Sequence, residues 1–171
     1  MSIYRILSVL LHYPQQELLD AVVDIRTMLK EMPLSTRDSD VLENFLQRLE
    51  SKELTTLQEE YVQTFDLVPE HSLHLTHHLF GDERGRGPAL IDLTEYYKEF
   101  GLQADEKELP DYLPMILEFS SELDETEAHL FLSQTVKVLQ QLAVNLEKVG
   151  SPYAALVRVV ESKGQLAPIA A

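Results

Sequence analysis

Residues 61–119 read YVQTFDLVPEHSLHLTHHLFGDERGRGPALIDLTEYYKEFGLQADEKELPDYLPMILEF. Apolar segments with helical spacing alternate here with two breaks, a glycine-rich turn at 81–88 and a proline-bounded acidic segment at 108–112. This order predicts a helix, a turn, a helix, a loop and a further helix. Polar side chains gather at the breaks and do not form a nucleophile, a base and an oxyanion site. The stretch therefore favours recognition of a partner over catalysis.

Helical spacing continues on both sides of this stretch. Towards the N-terminus, apolar residues three and four apart predict three helices that are separated by Pro14 and Pro33. Towards the C-terminus, residues 124–149 predict one long amphipathic helix, and Gly101 and Gly150 are expected to be left-handed caps at helix ends.

No segment shows the sustained apolar and polar alternation of a strand. With 171 residues, of which 44% are hydrophobic, the chain suits one domain with one core. We therefore predict an all-α, single-domain helical bundle at residues 1–163, followed by a flexible tail at residues 164–171.

Charge and composition exclude several classes of function. The chain has 14 Lys and Arg against 29 Asp and Glu, a formal charge of -15, whereas nucleic-acid binders need a basic surface. It has no cysteine, which excludes disulfides, thiolate catalysis and iron–sulfur clusters. No uncharged apolar run approaches the roughly 20 residues that span a bilayer. We expect a cytoplasmic protein with no nucleic-acid partner and no stable membrane insertion.

Three motifs carry a resemblance to a known family. The segments YVQTFD at 61–66, GDERGRG at 81–87 and ELPDYLP at 108–114 resemble, in order and spacing, those of the assembly chaperones of respiratory nitrate reductase. These chaperones are the NarJ-type members of the TorD/DmsD-like family, which matures molybdenum enzymes. Tyr112 follows Asp111 where many TorD and DmsD relatives have His, which places the chain on the NarJ side.

The resemblance implies a TorD-like helical fold and a chaperone rather than an enzyme. Its partner would be the catalytic subunit of nitrate reductase, bound through an N-terminal leader-like peptide while the molybdenum cofactor is inserted and membrane assembly is timed. Cofactor-delivery proteins are further implied partners, and no cofactor of its own is implied. A chaperone for a related molybdenum dehydrogenase or reductase is the alternative.

The acidic segment is the main candidate for peptide binding. Pro110 and Pro114 stiffen it and place Glu108 and Asp111 beside Tyr112 and Leu113, a mixture that suits a peptide helix with basic and aliphatic faces. A solvated loop that caps the next helix is the simpler interpretation. We expect Tyr112 and Leu113 to be exposed and apolar burial to dominate the affinity. The predicted peptide-binding residues are Tyr61, Phe65, Asp66, His74, His77, Glu108, Pro110, Asp111, Tyr112 and Leu113.

The glycine-rich turn could hold an anion, because it precedes a helix N-terminus and contains two arginines. It lacks the preceding strand and the Lys-Ser/Thr pair of a phosphate-binding loop. A tight connection in which the arginines pair with acids such as Asp82 or Glu83 is the simpler interpretation. Arg84, Arg86 and Gly87 remain weaker candidates for contact with a cofactor or partner.

Four histidines, His71, His74, His77 and His78, have a spacing that suggests a metal site. No nearby carboxylate lies at a matching turn to complete and orient the shell. We therefore assign no metal, and metal handling remains a remote alternative.

Overall fold

The structure is a computed structural model that describes residues 1–81, 84–103 and 107–165. This part of the chain contains ten α-helices, and none of them is long and apolar enough to cross a bilayer. The helices are α1 (Ile3–Leu11), α2 (Gln16–Lys30), α3 (Thr36–Ser51), α4 (Leu54–Tyr61), α5 (Leu75–Phe80), α6 (Arg86–Glu99), α7 (Leu113–Ser120), α8 (Glu125–Ser133), α9 (Val136–Lys148) and α10 (Tyr153–Gly164). The predicted all-α, single-domain class is confirmed.

Local signals in the sequence explain most helix ends. The side chains of Ser2, Ser35 and Asp124 each accept a hydrogen bond from a backbone N–H in the first turn of the helix that follows. Gly101 and Gly150 have φ values of 76° and 66°, in the left-handed region that glycine adopts without strain. Both predicted glycine caps are confirmed.

The core forms around α1 and α10. Ile6, Leu7, Leu10 and Leu11 of α1 are all buried, and this short helix packs against α7, α10 and α2. The Ser8 hydroxyl of α1 donates to a backbone carbonyl of α7 at 2.6 Å, which satisfies a polar group inside the core. Helix α10 packs against α9, α8, α3 and α1.

Helix α6 packs against α5, and aromatic rings connect it to α7 and α8. Tyr97 is its one buried residue, with a ring centroid 4.4 Å from that of Phe119 on α7. The neighbouring Tyr96 stacks on Phe131 of α8 with centroids 5.4 Å apart. These contacts set α6 beside the loop that leads into α7.

The predicted single helix over residues 124–149 is wrong, because the chain forms α8 and α9 with a break at residues 134 and 135. At this break the Thr135 hydroxyl and backbone N–H both donate to the Leu132 carbonyl, at 2.7 and 2.9 Å. Gly164 of α10 approaches the same carbonyl so closely that a Cβ would lie 2.7 Å from it. Beyond Gln165, the predicted tail lies outside the described residues.

Candidate functional site

Residues 108–113, which are the loop before α7 and the first residue of that helix, are called the strap because they are tied to the segment around the start of α5. The Leu113 backbone N–H donates to the Leu73 carbonyl at 2.8 Å, and the Leu75 N–H donates to the Asp111 carbonyl at 3.1 Å. His74 and Tyr112 form an isolated antiparallel bridge between these bonds. The strap is therefore fixed by backbone pairing between residues that lie 36 and 40 positions apart in the sequence.

Asp111 is the buried centre of the strap. Its side chain is 0% exposed, and Oδ2 accepts hydrogen bonds from the Thr76 backbone N–H at 2.9 Å and from the Thr76 hydroxyl. Arg86 donates through Nε to the Thr76 hydroxyl at 3.0 Å and places Nη2 3.9 Å from Asp111 Oδ2. Oδ1 is buried without a hydrogen-bond partner among the described residues. This carboxylate holds the strap together and does not reach solvent.

Tyr112 is the half-buried aromatic side chain of the strap. Its ring stacks on His74 with centroids 5.1 Å apart and meets the edge of His12 at 5.6 Å. The Tyr61 hydroxyl donates to the Leu11 carbonyl at 2.7 Å, so the Tyr112 hydroxyl, 2.7 Å away, donates to Tyr61. Burial raises the pKa of Tyr112 to about 12 and raises that of Tyr61 as well. Both hydroxyls therefore stay protonated near neutral pH and keep this hydrogen-bond chain intact.

A groove of about 600 Å³ opens where α1, α2 and the strap meet. Apolar side chains line it, and three carboxylates, Glu17, Asp24 and Glu108, stand among them. The apolar part of the lining includes Val9, Leu18, Ala21, Ile25, Met28 and Tyr112. An apolar cleft with acidic groups suits a ligand that is itself apolar on one side and cationic on another.

The structure separates the predicted peptide-binding residues into a buried set and a surface set. The buried residues are Tyr61, Phe65, Pro110, Asp111 and Leu113, and the surface or half-buried ones are Asp66, His74, His77, Glu108 and Tyr112. Of the ten, only Glu108 and Tyr112 line the groove. Their roles in binding a peptide remain predictions.

The expectation that Leu113 is exposed is wrong, because this residue is 0% exposed. Leu113 begins α7, and its backbone N–H is used in the pairing with Leu73, so its side chain turns into the core. Sequence analysis also missed the contribution of α2 to the groove. Its apolar residues have the periodicity of any core-facing helix, and nothing in that periodicity tells which of them stay uncovered.

The glycine-rich turn does not present its two arginines in the same way. Arg84 is exposed, whereas the Arg86 side chain points towards Thr76 and Asp111. Asp82 and Glu83, the acids expected to pair with these arginines, lie outside the described residues. Gly87 is exposed in the first turn of α6.

Three of the four histidines, His71, His74 and His78, contact other groups of the protein. His71 Nδ1 is 2.9 Å from the Thr64 carbonyl and His78 Nε2 is 2.6 Å from the Ser72 carbonyl, so each nitrogen is a donor. His74 stacks on Tyr112. Across residues 1–81, 84–103 and 107–165, no three His, Asp or Glu side chains are grouped as a metal site.

His78 makes the stability of the fold depend on pH. Burial lowers its pKa below the ordinary 6.5, because desolvation disfavours the charged imidazole. The unfolded chain therefore takes up the proton first, and the stabilisation is present above pH 6.5 and lost as pH falls through the folded pKa. We expect the stability advantage of the wild type over His78→Gln to shrink between about pH 7.5 and about pH 5.5. Urea unfolding followed by circular dichroism measures it, and a difference that does not change with pH would contradict the expectation.

The sequence of this chain matches a known protein family. The model of the family described as nitrate reductase delta subunit matches residues 30–158. The nitrate reductase molybdenum cofactor assembly chaperone NarJ of Escherichia coli (strain K12) is 35% identical over 158 residues, which cover 88% of this chain and 64% of that protein. The chain thus spans less than two thirds of the length of this relative.

Two further relatives carry similar names. The probable nitrate reductase molybdenum cofactor assembly chaperone NarW of the same organism is 33% identical over 156 residues, covering 91% of this chain and 65% of NarW. The probable nitrate reductase molybdenum cofactor assembly chaperone NarJ of Bacillus subtilis (strain 168) is 32% identical over 157 residues. That alignment covers 92% of this chain and 85% of the relative.

Proposed function

The chain belongs to the nitrate reductase delta subunit family, and from this premise we propose that it is a nitrate reductase molybdenum cofactor assembly chaperone. It binds the N-terminal leader-like segment of the catalytic subunit, supports insertion of the molybdenum cofactor and delays membrane assembly until insertion is complete. It acts by binding and performs no turnover of its own. Its partners are the catalytic subunit and, during insertion, cofactor-delivery proteins.

The groove between α1, α2 and the strap is the observation that carries this proposal. It offers an apolar lining to one face of an amphipathic helix, while Glu17, Asp24 and Glu108 offer carboxylates to basic residues along its edge. The formal charge of -15 adds a long-range attraction for a basic segment. A peptide with aliphatic or aromatic anchors and flanking Lys or Arg fits both features.

The buried and exposed members of the predicted set take different roles in this proposal. Tyr112 and Glu108 contact the peptide, since both line the groove. Tyr61 and Asp111 support them, because Tyr61 accepts the Tyr112 hydroxyl and Asp111 fixes the strap. Asp66 is exposed and its charge contributes to the raised pKa values of Tyr61 and Tyr112, so it lies close enough to steer a cationic peptide towards them.

Isothermal titration with a synthetic peptide of the catalytic subunit's N-terminal segment tests the binding step. We expect saturable binding with one peptide per chain and a gain of helical circular dichroism as the peptide folds. A scrambled peptide of equal composition and charge is the control, since it keeps the electrostatic attraction and loses the apolar face. Equal affinity for both peptides would contradict groove binding.

A cellular experiment tests the assembly step and identifies the client. Cells lacking the chain should accumulate nitrate reductase catalytic subunit with a reduced molybdenum content, measured by mass spectrometry of the metal after purification. A tagged chain should retain the same subunit from native extract. Retention of a different molybdenum dehydrogenase or reductase would reassign the client, and normal molybdenum content would overturn the assembly role.

A further inference from the structure

Helix α6 is fastened to the strap at both of its ends. At its first residue, Arg86 reaches Thr76 and Asp111. Three turns later, the Tyr97 hydroxyl donates to the Pro110 carbonyl at 2.5 Å. Helix α6 thus contacts two consecutive residues of the strap, Pro110 and Asp111. They come immediately before Tyr112, which lines the groove.

Arg86 controls the direction of the hydrogen bonds around Asp111. A guanidinium only donates, so its Nε–H occupies a lone pair of the Thr76 hydroxyl and the hydroxyl proton must point elsewhere. The acceptor that it meets is Asp111 Oδ2. Without Arg86 the hydroxyl could turn, and the buried carboxylate would lose the cation that pairs with it.

The position of Arg86 does not benefit its own helix. A cation at the first residue of a helix opposes the macrodipole and is unfavourable there. The Arg86 side chain is also 26% exposed, turned away from full solvation towards a carboxylate that is 0% exposed. The groups that the side chain meets there are Thr76 and Asp111.

We propose that Arg86 is a positioning residue for peptide binding, acting through Asp111 to hold Tyr112 and Glu108 in place on the groove wall. This inference rests on the proposed function of the groove. In this proposal the glycine-rich turn helps to fix the strap, because Arg86 lies in that turn. Arg86 itself does not contact the peptide.

Peptide titration of Arg86→Gln gives the first test. We expect the affinity to fall about tenfold, because groups that share one hydrogen-bond network commonly couple to one another. Arg84→Gln is the matched control, since it removes the same charge from an exposed position in the same turn. We expect Arg84→Gln to change the affinity less than about twofold. Equal losses from the two variants would overturn the proposal and indicate that only net charge matters.

A double-mutant cycle with Asp111→Asn separates positioning from direct contact. Asparagine keeps an acceptor for Thr76 but removes the charge that Arg86 pairs with. If Arg86 acts through Asp111, adding Arg86→Gln to Asp111→Asn should change the affinity less than about twofold. A further tenfold loss in that background would show that Arg86 touches the peptide directly, and would overturn the proposal.

A measurement on the free protein keeps this inference separate from the proposed function. In protein labelled with 3-fluorotyrosine, the fluorine resonance of Tyr112, assigned with Tyr112→Phe, should shift in Arg86→Gln, while that of Tyr4 on α1 should not. An unchanged Tyr112 resonance in Arg86→Gln overturns the positioning role. If Arg86→Gln fails to fold, Arg86→Lys is measured instead and an unchanged Tyr112 resonance in it has the same consequence. A wild-type chain that binds no peptide would instead overturn the proposed function.

Discussion

Asp111→Ala is expected to lower the free energy of unfolding by about 3 kcal/mol, one of the largest effects of a single side chain in this protein. The substitution leaves the Thr76 backbone N–H and hydroxyl without their acceptor and Arg86 without its carboxylate. Each buried donor without a partner costs about 1–3 kcal/mol. For a chain of this size the loss corresponds to a fall in melting temperature of roughly 6–12 °C.

Thermal unfolding followed by circular dichroism measures this effect, and two variants serve as controls. Glu108→Ala removes an exposed acid from the same strap and should change the stability by less than about 0.5 kcal/mol. Asp111→Asn retains one acceptor and should fall between the two. Equal melting temperatures for Asp111→Ala and Glu108→Ala would mean that the buried network contributes nothing to folding.

The sequence does not reveal that Asp111 is buried and Glu108 is exposed. Both are acids within two residues of Pro110, and their local patterns differ too little to say which is buried. The distinction arises from Thr76, which is 35 residues away along the chain and meets Asp111 only when the strap pairs with the segment before α5. A signal was present in Arg86, a cation at a helix start that the helix itself does not favour.

Helices were predictable wherever local chemistry decides them. The apolar spacing of α1 and the glycines at 101 and 150 act within one or two turns, and the structure follows them. The break between α8 and α9 was not predictable, because the apolar spacing continues through Gln134 and Thr135. The chain packs closely there, because Gly164 of α10 lies so near the Leu132 carbonyl that a Cβ would clash with it.

The groove was predictable in character but not in location. An acidic, apolar recognition surface was expected near Tyr112, and Tyr112 does line the groove. Apart from Glu108, the rest of the lining comes from residues 1–28, which lie outside residues 61–119. Residues such as Leu18 and Met28 have ordinary core spacing, yet they are half-buried and line the groove.

In the proposed complex, apolar contacts in the groove should contribute more affinity than the carboxylates around it. Burying one Leu or Phe side chain contributes roughly 1.5–3 kcal/mol, whereas an exposed ion pair contributes about 0.2–1 kcal/mol and is screened by salt. We therefore expect a negative heat-capacity change on peptide binding and a shallow dependence on salt. Glu108→Gln should weaken binding less than about fivefold. A heat-capacity change near zero with a steep salt dependence would reverse this order.

Ala21→Phe should then weaken peptide binding by about 150-fold, the largest effect that we expect on affinity. Ala21 is half-buried in the groove lining, so a phenyl ring there occupies the space that an apolar anchor of the peptide needs. Excluding one such anchor costs about 3 kcal/mol, which is roughly 150-fold in the dissociation constant. Val23→Phe is the matched control, because Val23 lies on the same helix but is 66% exposed and outside the groove. Peptide titration of the two variants decides the matter: comparable losses, or full affinity in Ala21→Phe, would place the peptide elsewhere on the surface.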